Sequence, residues 1–541
     1  MSSMITTTTW VRRGVAAQFP VKYEVDEQEM NRISKLARMQ LEEAQDDLNA
    51  ARDGKTDNDD DTAMDEDKKE ADGTEDQGEK KTSKDGNDSK LTIDDDALKE
   101  FDMDNYDNDD VDEAGERATM FGNVQSLAYH QPDEEDPYLV IPEEEKDEER
   151  EELQIMPTDN LLLSGKVEDE VAHLEVYVYE DSADNLYVHH DIMLPGIPLC
   201  LEWLDVPVGK NSEGKTQGNF VAVGTMEPDI EIWDLDVVDS MYPNAILGQG
   251  GKDDRSKKSK KKKSKSNDEY HIDSVLALAA NRQHRNLLAS ASADRTVKLW
   301  DLNNTTCAKS YSHHTDKVCS LDWHPKESTI LLSGSYDRTV VAADMRAPDA
   351  KARWGVDTDV EGVRWDPHDP NYFYVSTDGG MVYRYDVRNV PASPAESKPV
   401  WSLQAHDSSV SSFDINGTIP GFLVTGSTDR EVKLWNVEND KPSLVVTRKF
   451  DVGKVFSTGF APDPEVSFRL AIAGSKGVVQ IWDASTNAAV RRAFVSRMPE
   501  FEQPVAERTI GLTNDDEESD EGEEPADEDA GPDGWESMDE D

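Results

Sequence analysis

Cysteine is almost absent from this sequence: Cys200, Cys307 and Cys319 are the only three in 541 residues. Three scattered thiols make neither a disulfide framework nor a zinc-ligand set, which excludes a small cross-linked secreted fold and points to a reducing compartment. Long apolar runs are missing too. Stretches such as Val275 to Ala280 fall far short of the roughly 20 residues of a membrane-spanning helix, and no charged-then-apolar leader opens the chain. A soluble intracellular protein with no membrane partner is expected. Positive charge is scarce, with 57 Lys plus Arg against 115 Asp plus Glu and a formal charge of −58, which argues against coating a nucleic-acid backbone with the whole surface. His-Glu-x-x-His, paired cysteine ligands and Gly-x-Ser-x-Gly are all lacking, so no enzyme, metal or cofactor is expected.

What the sequence does have is a repeat. A strand ending in an aromatic residue, or its substitute, and then an acid or amide recurs six times: IEIWD to Asp234, VKLWD to Asp301, VVAAD to Asp344, VYRYD to Asp386, VKLWN to Asn436 and VQIWD to Asp483. The aromatic positions are Trp233, Trp300, Ala343, Tyr385, Trp435 and Trp482, with steps of 67, 43, 42, 50 and 47 residues. Most steps match one propeller blade, about 40 to 45 residues. The long step contains a lysine-rich insertion over 248–268. A seventh copy is expected upstream, where Leu174, Val176 and Val178 alternate with polar or aromatic residues and Tyr179 stands 54 residues before Trp233. A second ladder, Trp203, Trp323, Trp365, Phe413 and Phe460, marks a packing position between neighbouring units. The expected fold class is therefore all-β, a seven-bladed WD-repeat propeller over 136–500.

Tight turns precede three of these strands, at Ser292 to Arg295, Ser335 to Arg338 and Thr428 to Arg430. Each places an aspartate, Asp294, Asp337 or Asp429, six residues before the tryptophan position. A turn acid there accepts hydrogen bonds from backbone and from an imidazole, for which His314 and His406 are the candidates. Together with Trp300, Trp435 and Trp482 these residues read as a structural network rather than a catalytic one.

The flanks are of another kind. Over 24–53, within an N-terminal segment 1–53, Met30, Ile33, Ala37, Leu41, Ala44 and Leu48 recur at steps of three and four and predict one amphipathic helix. Residues 54–135 read as an acidic disordered linker with apolar islands at Leu91, Ile93, Leu98 and Phe101, and 501–541 as an acidic disordered tail. Ser519 and Ser537 lie among acids and are candidates for an acidophilic kinase.

Two motifs compete for a functional reading. Gly209 to Thr216 satisfies the phosphate-loop pattern, with Gly209, Gly214, Lys215 and Thr216 in place, yet Phe220 to Gly224 reads as a strand where that chemistry needs a helix, so a polar hairpin loop is expected. The glycines at 248, 250 and 251 lead into Lys257, Lys258, Lys260, Lys261, Lys262, Lys263 and Lys265. That run reads as a nuclear import signal, an RNA contact or a solvated insertion, with import favoured.

With Trp10, Val11, Arg12, Arg13 and Gly14, LPGIPLCLEWLD over 194–205, the acidic spacer, the lysine insertion and the spaced WD strands all in view, the chain resembles the periodic tryptophan protein one family along nearly its whole length. Ala343 and Tyr385 depart from the tryptophan pattern. The resemblance implies a nuclear and nucleolar protein of ribosomal RNA processing and large-subunit assembly, with assembly factors, pre-ribosomal particles and RNA as partners. A chromatin-binding propeller, whose acidic tails attract histones, is the rival expectation.

Overall fold

The computed structural model describes residues 3–23, 25, 29–30, 32–34, 150–209, 216–248, 267–347, 351–494, 497 and 507–511. Residues 1–24 and 147–541 form one compact unit and 25–146 another. In the second unit residues 29–30 and 32–34 are helical, and the Arg32 guanidinium donates to Glu29 at 2.7 Å. Val25, within the expected 24–53 helix, is not helical; the rest of that segment, the apolar islands, Lys257 to Lys265, Ser519 and Ser537 lie outside the described residues.

The first unit is a ring of seven four-stranded antiparallel sheets. Strand-forming segments alternate inward and outward residues at a period of two, and each sheet buries both faces against its neighbours. Seven apolar clusters fill the seven gaps between adjacent blades. The cluster that closes the ring joins Ile5, Leu162, Tyr177 and Tyr179 of blade 1 to Ala471, Val479 and Ile481 of blade 7.

Blade 1 departs from the expected boundaries. Its inner strand is Ser3–Val11, paired antiparallel with Asn160–Glu168, and Val171–Glu180 and Asn185–Leu194 complete the sheet. The ring thus begins at Ser3 rather than at residue 136, and the acidic stretch is inserted between the first and second strands of one blade. At the other end Arg508–Gly511 pairs with Val479–Asp483 as the outer strand of blade 7, so the ring also runs past residue 500. Four consecutive threonines, Thr6 to Thr9, hid the first strand, because they offer no apolar alternation to read.

Register corrects two further expectations. In blades 2, 4 and 6 the tryptophan position pairs with the residue three before the second-strand glycine, as Trp233 with Val221 before Gly224, Ala343 with Leu331 before Gly334 and Trp435 with Leu423 before Gly426. In blade 1 that partner is Leu162 and the aromatic opposite it is Tyr177, not Tyr179. The Tyr177 hydroxyl donates to Glu175, as the Trp233 indole donates to Glu231, in both cases two residues back. Likewise Ile415, not Phe413, occupies the inner-strand ladder, since Phe413 faces Thr425 where the ladder residue Trp365 faces Phe373 two positions on. Trp10 holds the ladder position in blade 1.

Candidate functional site

Two faces and a central channel are what a closed ring can offer to partners. Links between second and third strands, and between blades, lie on what is termed here the upper face; links between first and second and between third and fourth strands lie on the lower. The turns that carry the candidate aspartates belong to the upper face. Arg295, Arg338 and Arg430 there take left-handed φ of 70°, 62° and 70°, while the preceding aspartates accept the amides of Thr296, Thr339 and Glu431.

Three of the turns anchor a buried relay. In blade 3 the Trp300 indole donates to Ser290 Oγ at 2.8 Å, Ser290 and His271 Nε2 lie 2.6 Å apart, and His271 Nδ1 is 2.9 Å from Asp294. Blade 6 repeats the arrangement with Trp435, Thr425, His406 and Asp429, each link at 2.9 Å. Blade 4 has Ser333, His314 and Asp337, at 2.8 and 3.0 Å, but Ala343 in place of the indole. The hydrogen bonds assign the imidazole proton to Nδ1 in each. Burial pushes the Asp294 carboxyl up, but bonds from His271 and Thr296 overcome it and hold it at about 2. Asp337 is held down by the same kind of partners, and burial depresses the imidazoles of His271 and His406.

A Ser, His, Asp set of this kind has the connectivity of a hydrolase triad, but its chemistry is closed. Ser290 and Thr425 are wholly buried, and their oxygens already serve an indole and an imidazole. A nucleophile must reach a substrate carbonyl, and these cannot. Trp482, expected in the network, stands apart: Ile472 occupies the serine position of its blade and the Trp482 indole nitrogen has no hydrogen-bond partner among the described residues. His271 was not anticipated, although its spacing of 23 residues to Asp294 equals that of His314 to Asp337 and of His406 to Asp429. His406, Asp429 and Glu431 also cluster closely enough to hold a cation, but Glu431 is paired with Lys433 and Lys449, and His406 with Asp429.

Around the channel the inner strands are stitched from blade to blade. Glu202, Asp322 and Asp414 accept the amides of Ala280, Trp365 and Phe460 in the following blade at 3.1, 2.7 and 2.9 Å. Trp10, Trp323 and Trp365 send their indole protons back to the carbonyls of Gly459, Ala279 and Asp322. Arg364 stands between Asp322 and Asp414 in the ring order, and burial raises the Asp322 carboxyl to about 6 against the pull of that guanidinium. The phosphate-loop candidate does not join this surface. Gly209 has φ +74° at a turn against Asn244, Thr216 is exposed, Gly214 and Lys215 lie outside the described residues, and the strand Phe220–Thr225 follows where a phosphate loop needs a helix.

These features define a WD-repeat β-propeller. The WD domain, G-beta repeat family matches residues 265–301, 305–341 and 397–436. Among characterised relatives, Periodic tryptophan protein 1 of Saccharomyces cerevisiae is 37% identical over 92% of this chain and 90% of its own, and its Drosophila melanogaster homolog 31% over 74% and 80%. An uncharacterised WD repeat-containing protein of Schizosaccharomyces pombe is 49% identical over 94% of both chains. The chain belongs to the periodic tryptophan protein 1 family.

Proposed function

We propose that this protein is a non-enzymatic nuclear scaffold of ribosome biogenesis, acting at the nucleolus in ribosomal RNA processing and assembly of the large subunit. Family membership along nearly the whole chain is the observation that carries the reading. Two others support it: the hydroxyls and imidazoles of the relays are buried, and a closed ring offers several faces at once to assembly factors. The lysines from Lys257 to Lys265 supply import and a local phosphate contact to pre-ribosomal RNA. Gradient sedimentation of tagged protein tests the proposal. Cosedimentation with large-subunit precursors, and accumulation of unprocessed precursor RNA on depletion, are expected. Recovery of histones with no pre-ribosomal RNA would transfer the protein to chromatin.

A further inference from the structure

Blade 4 lacks bulk where every other blade has it. The residue before the tryptophan position and its partner on the outer strand are Val176 and His190, Ile232 and Ala245, Leu299 and Lys309, Arg384 and Trp401, Leu434 and Val446, and Ile481 and Ile510. In blade 4 both are alanine, Ala342 opposite Ala352. The space they leave is a cavity of about 460 Å³ on the lower face between blades 4 and 5, walled by Ile330, Trp354, Trp365, Pro370 and Val387. Its volume exceeds that of one large side chain, and it opens to solvent at the lower face, so a side chain from outside can enter it.

The wall is apolar because its polar atoms are spent elsewhere. The Trp354 indole donates to the Asn389 carbonyl and that of Trp365 to the Asp322 carbonyl. His324 bonds the Pro370 carbonyl through Nε2 and accepts the Lys326 and Glu327 amides at Nδ1. At the mouth Asp344 is bound by Arg346, and among the described residues the other lining charges are Lys326 and Lys351, which have no ion-pair partner there, and the acid Glu327. Among the described residues the rim thus carries one more positive than negative charge, on a chain of charge −58.

We propose that this cavity is a docking site for a partner peptide that inserts one aromatic or large aliphatic side chain and flanks it with acidic residues. The lysines select the flanks by charge and the cavity selects the anchor by volume. A nucleobase is the poorer fit, because its polar edges would find the indole and imidazole nitrogens of the wall already bonded elsewhere.

The test uses the full-length protein and a fluorescein-labelled acidic decapeptide with one central phenylalanine, followed by fluorescence polarisation. Binding should weaken at least tenfold when the phenylalanine is replaced by alanine. It should also weaken at least tenfold in Ala342→Leu, which restores the bulk of the other blades and is expected to keep or raise the melting temperature. Lys326→Glu with Lys351→Glu should remove the salt-sensitive part of the affinity. The proposal is overturned if the wild type does not bind the peptide, if both peptides bind equally, or if Ala342→Leu binds as well as wild type. It is likewise overturned if a labelled decauridylate, rather than the peptide, binds in a way that Ala342→Leu abolishes. Should Ala342→Leu fold poorly, Ala352→Val fills the same space from the facing strand and carries the same expectation.

Discussion

A single carboxylate shows how little freedom the upper-face turns allow. Asp294 binds His271, the Ile272 amide, and both the amide and hydroxyl of Thr296. Asp294→Ala leaves a buried imidazole proton without an acceptor, so a loss of about 2 kcal/mol of stability is expected, measured by denaturant unfolding. Asp337→Ala should cost as much in blade 4, while Trp300→Phe in blade 3 should cost about 1 kcal/mol more than Trp482→Phe in blade 7, because both lose the same ring volume but among the described residues only the Trp300 indole gives up a hydrogen bond. Equal penalties for Trp300→Phe and Trp482→Phe would contradict the relay as drawn. The turn aspartates were legible from their fixed distance to the tryptophan position. His271 was legible in principle, through its 23-residue spacing, but it precedes its strand in the stretch Asp268 to Asp273, where no hydrophobic pattern draws the eye. Trp482 misled for the opposite reason: a tryptophan before an aspartate is visible, whereas the isoleucine that deprives it of a partner is visible only in register.

Among the strands, Ser3–Val11 carries the most for its length. Thr6 Oγ1 donates to the Pro198 carbonyl of blade 2, the Thr8 amide donates to Ser457 of blade 7, and Trp10 binds the Gly459 carbonyl, so the strand is fastened on both sides as well as to Asn160–Glu168. Deleting residues 1–12 removes the inner strand of blade 1 and uncovers apolar surface of blades 1, 2 and 7. A lowered melting temperature and aggregation are expected, and a synthetic peptide of residues 2–14 added in trans should restore part of the loss. Unchanged melting after the deletion would refute ring closure by this strand. The blade count was readable from the spacing of WD strands, but the strand that completes it was not, because over a hundred residues of acidic sequence separate it from its sheet and its threonines carry no apolar signature. Small residues mark the other unread contacts. A Cβ on Gly334 or Gly426 would meet Val360 or Val455 of the next blade at 2.7 or 2.6 Å, a closeness that only neighbouring blades explain.

For the ring as a whole, the acids around its axis set a dependence on pH. Asp322 is pushed up to about 6 from an ordinary 3.8, chiefly because burial disfavours its charge, and burial likewise raises Glu361 to about 7. A carboxyl raised in the folded state binds its proton more tightly there than in the open chain. Its favourable contribution is therefore complete below pH 3.8 and is lost as pH rises through 6. Asn at this position keeps an oxygen for the Trp365 amide and never ionises. Asp322→Asn should accordingly be more stable than wild type at pH 8, by about 1 kcal/mol once screening by channel water is allowed for. The gain should shrink through pH 6 to 4 and disappear below, followed by thermal melts at constant ionic strength. The relays pull the other way: burial holds His271 and His406 below the ordinary imidazole value, so their contribution is complete above pH 6.5 and falls away in acid. Because the relays are untouched in Asp322→Asn, the variant should keep the acid-side loss of wild type while losing part of the alkaline-side one. A variant parallel to wild type over the whole range would place Asp322 in open water rather than in the stitched wall of the channel.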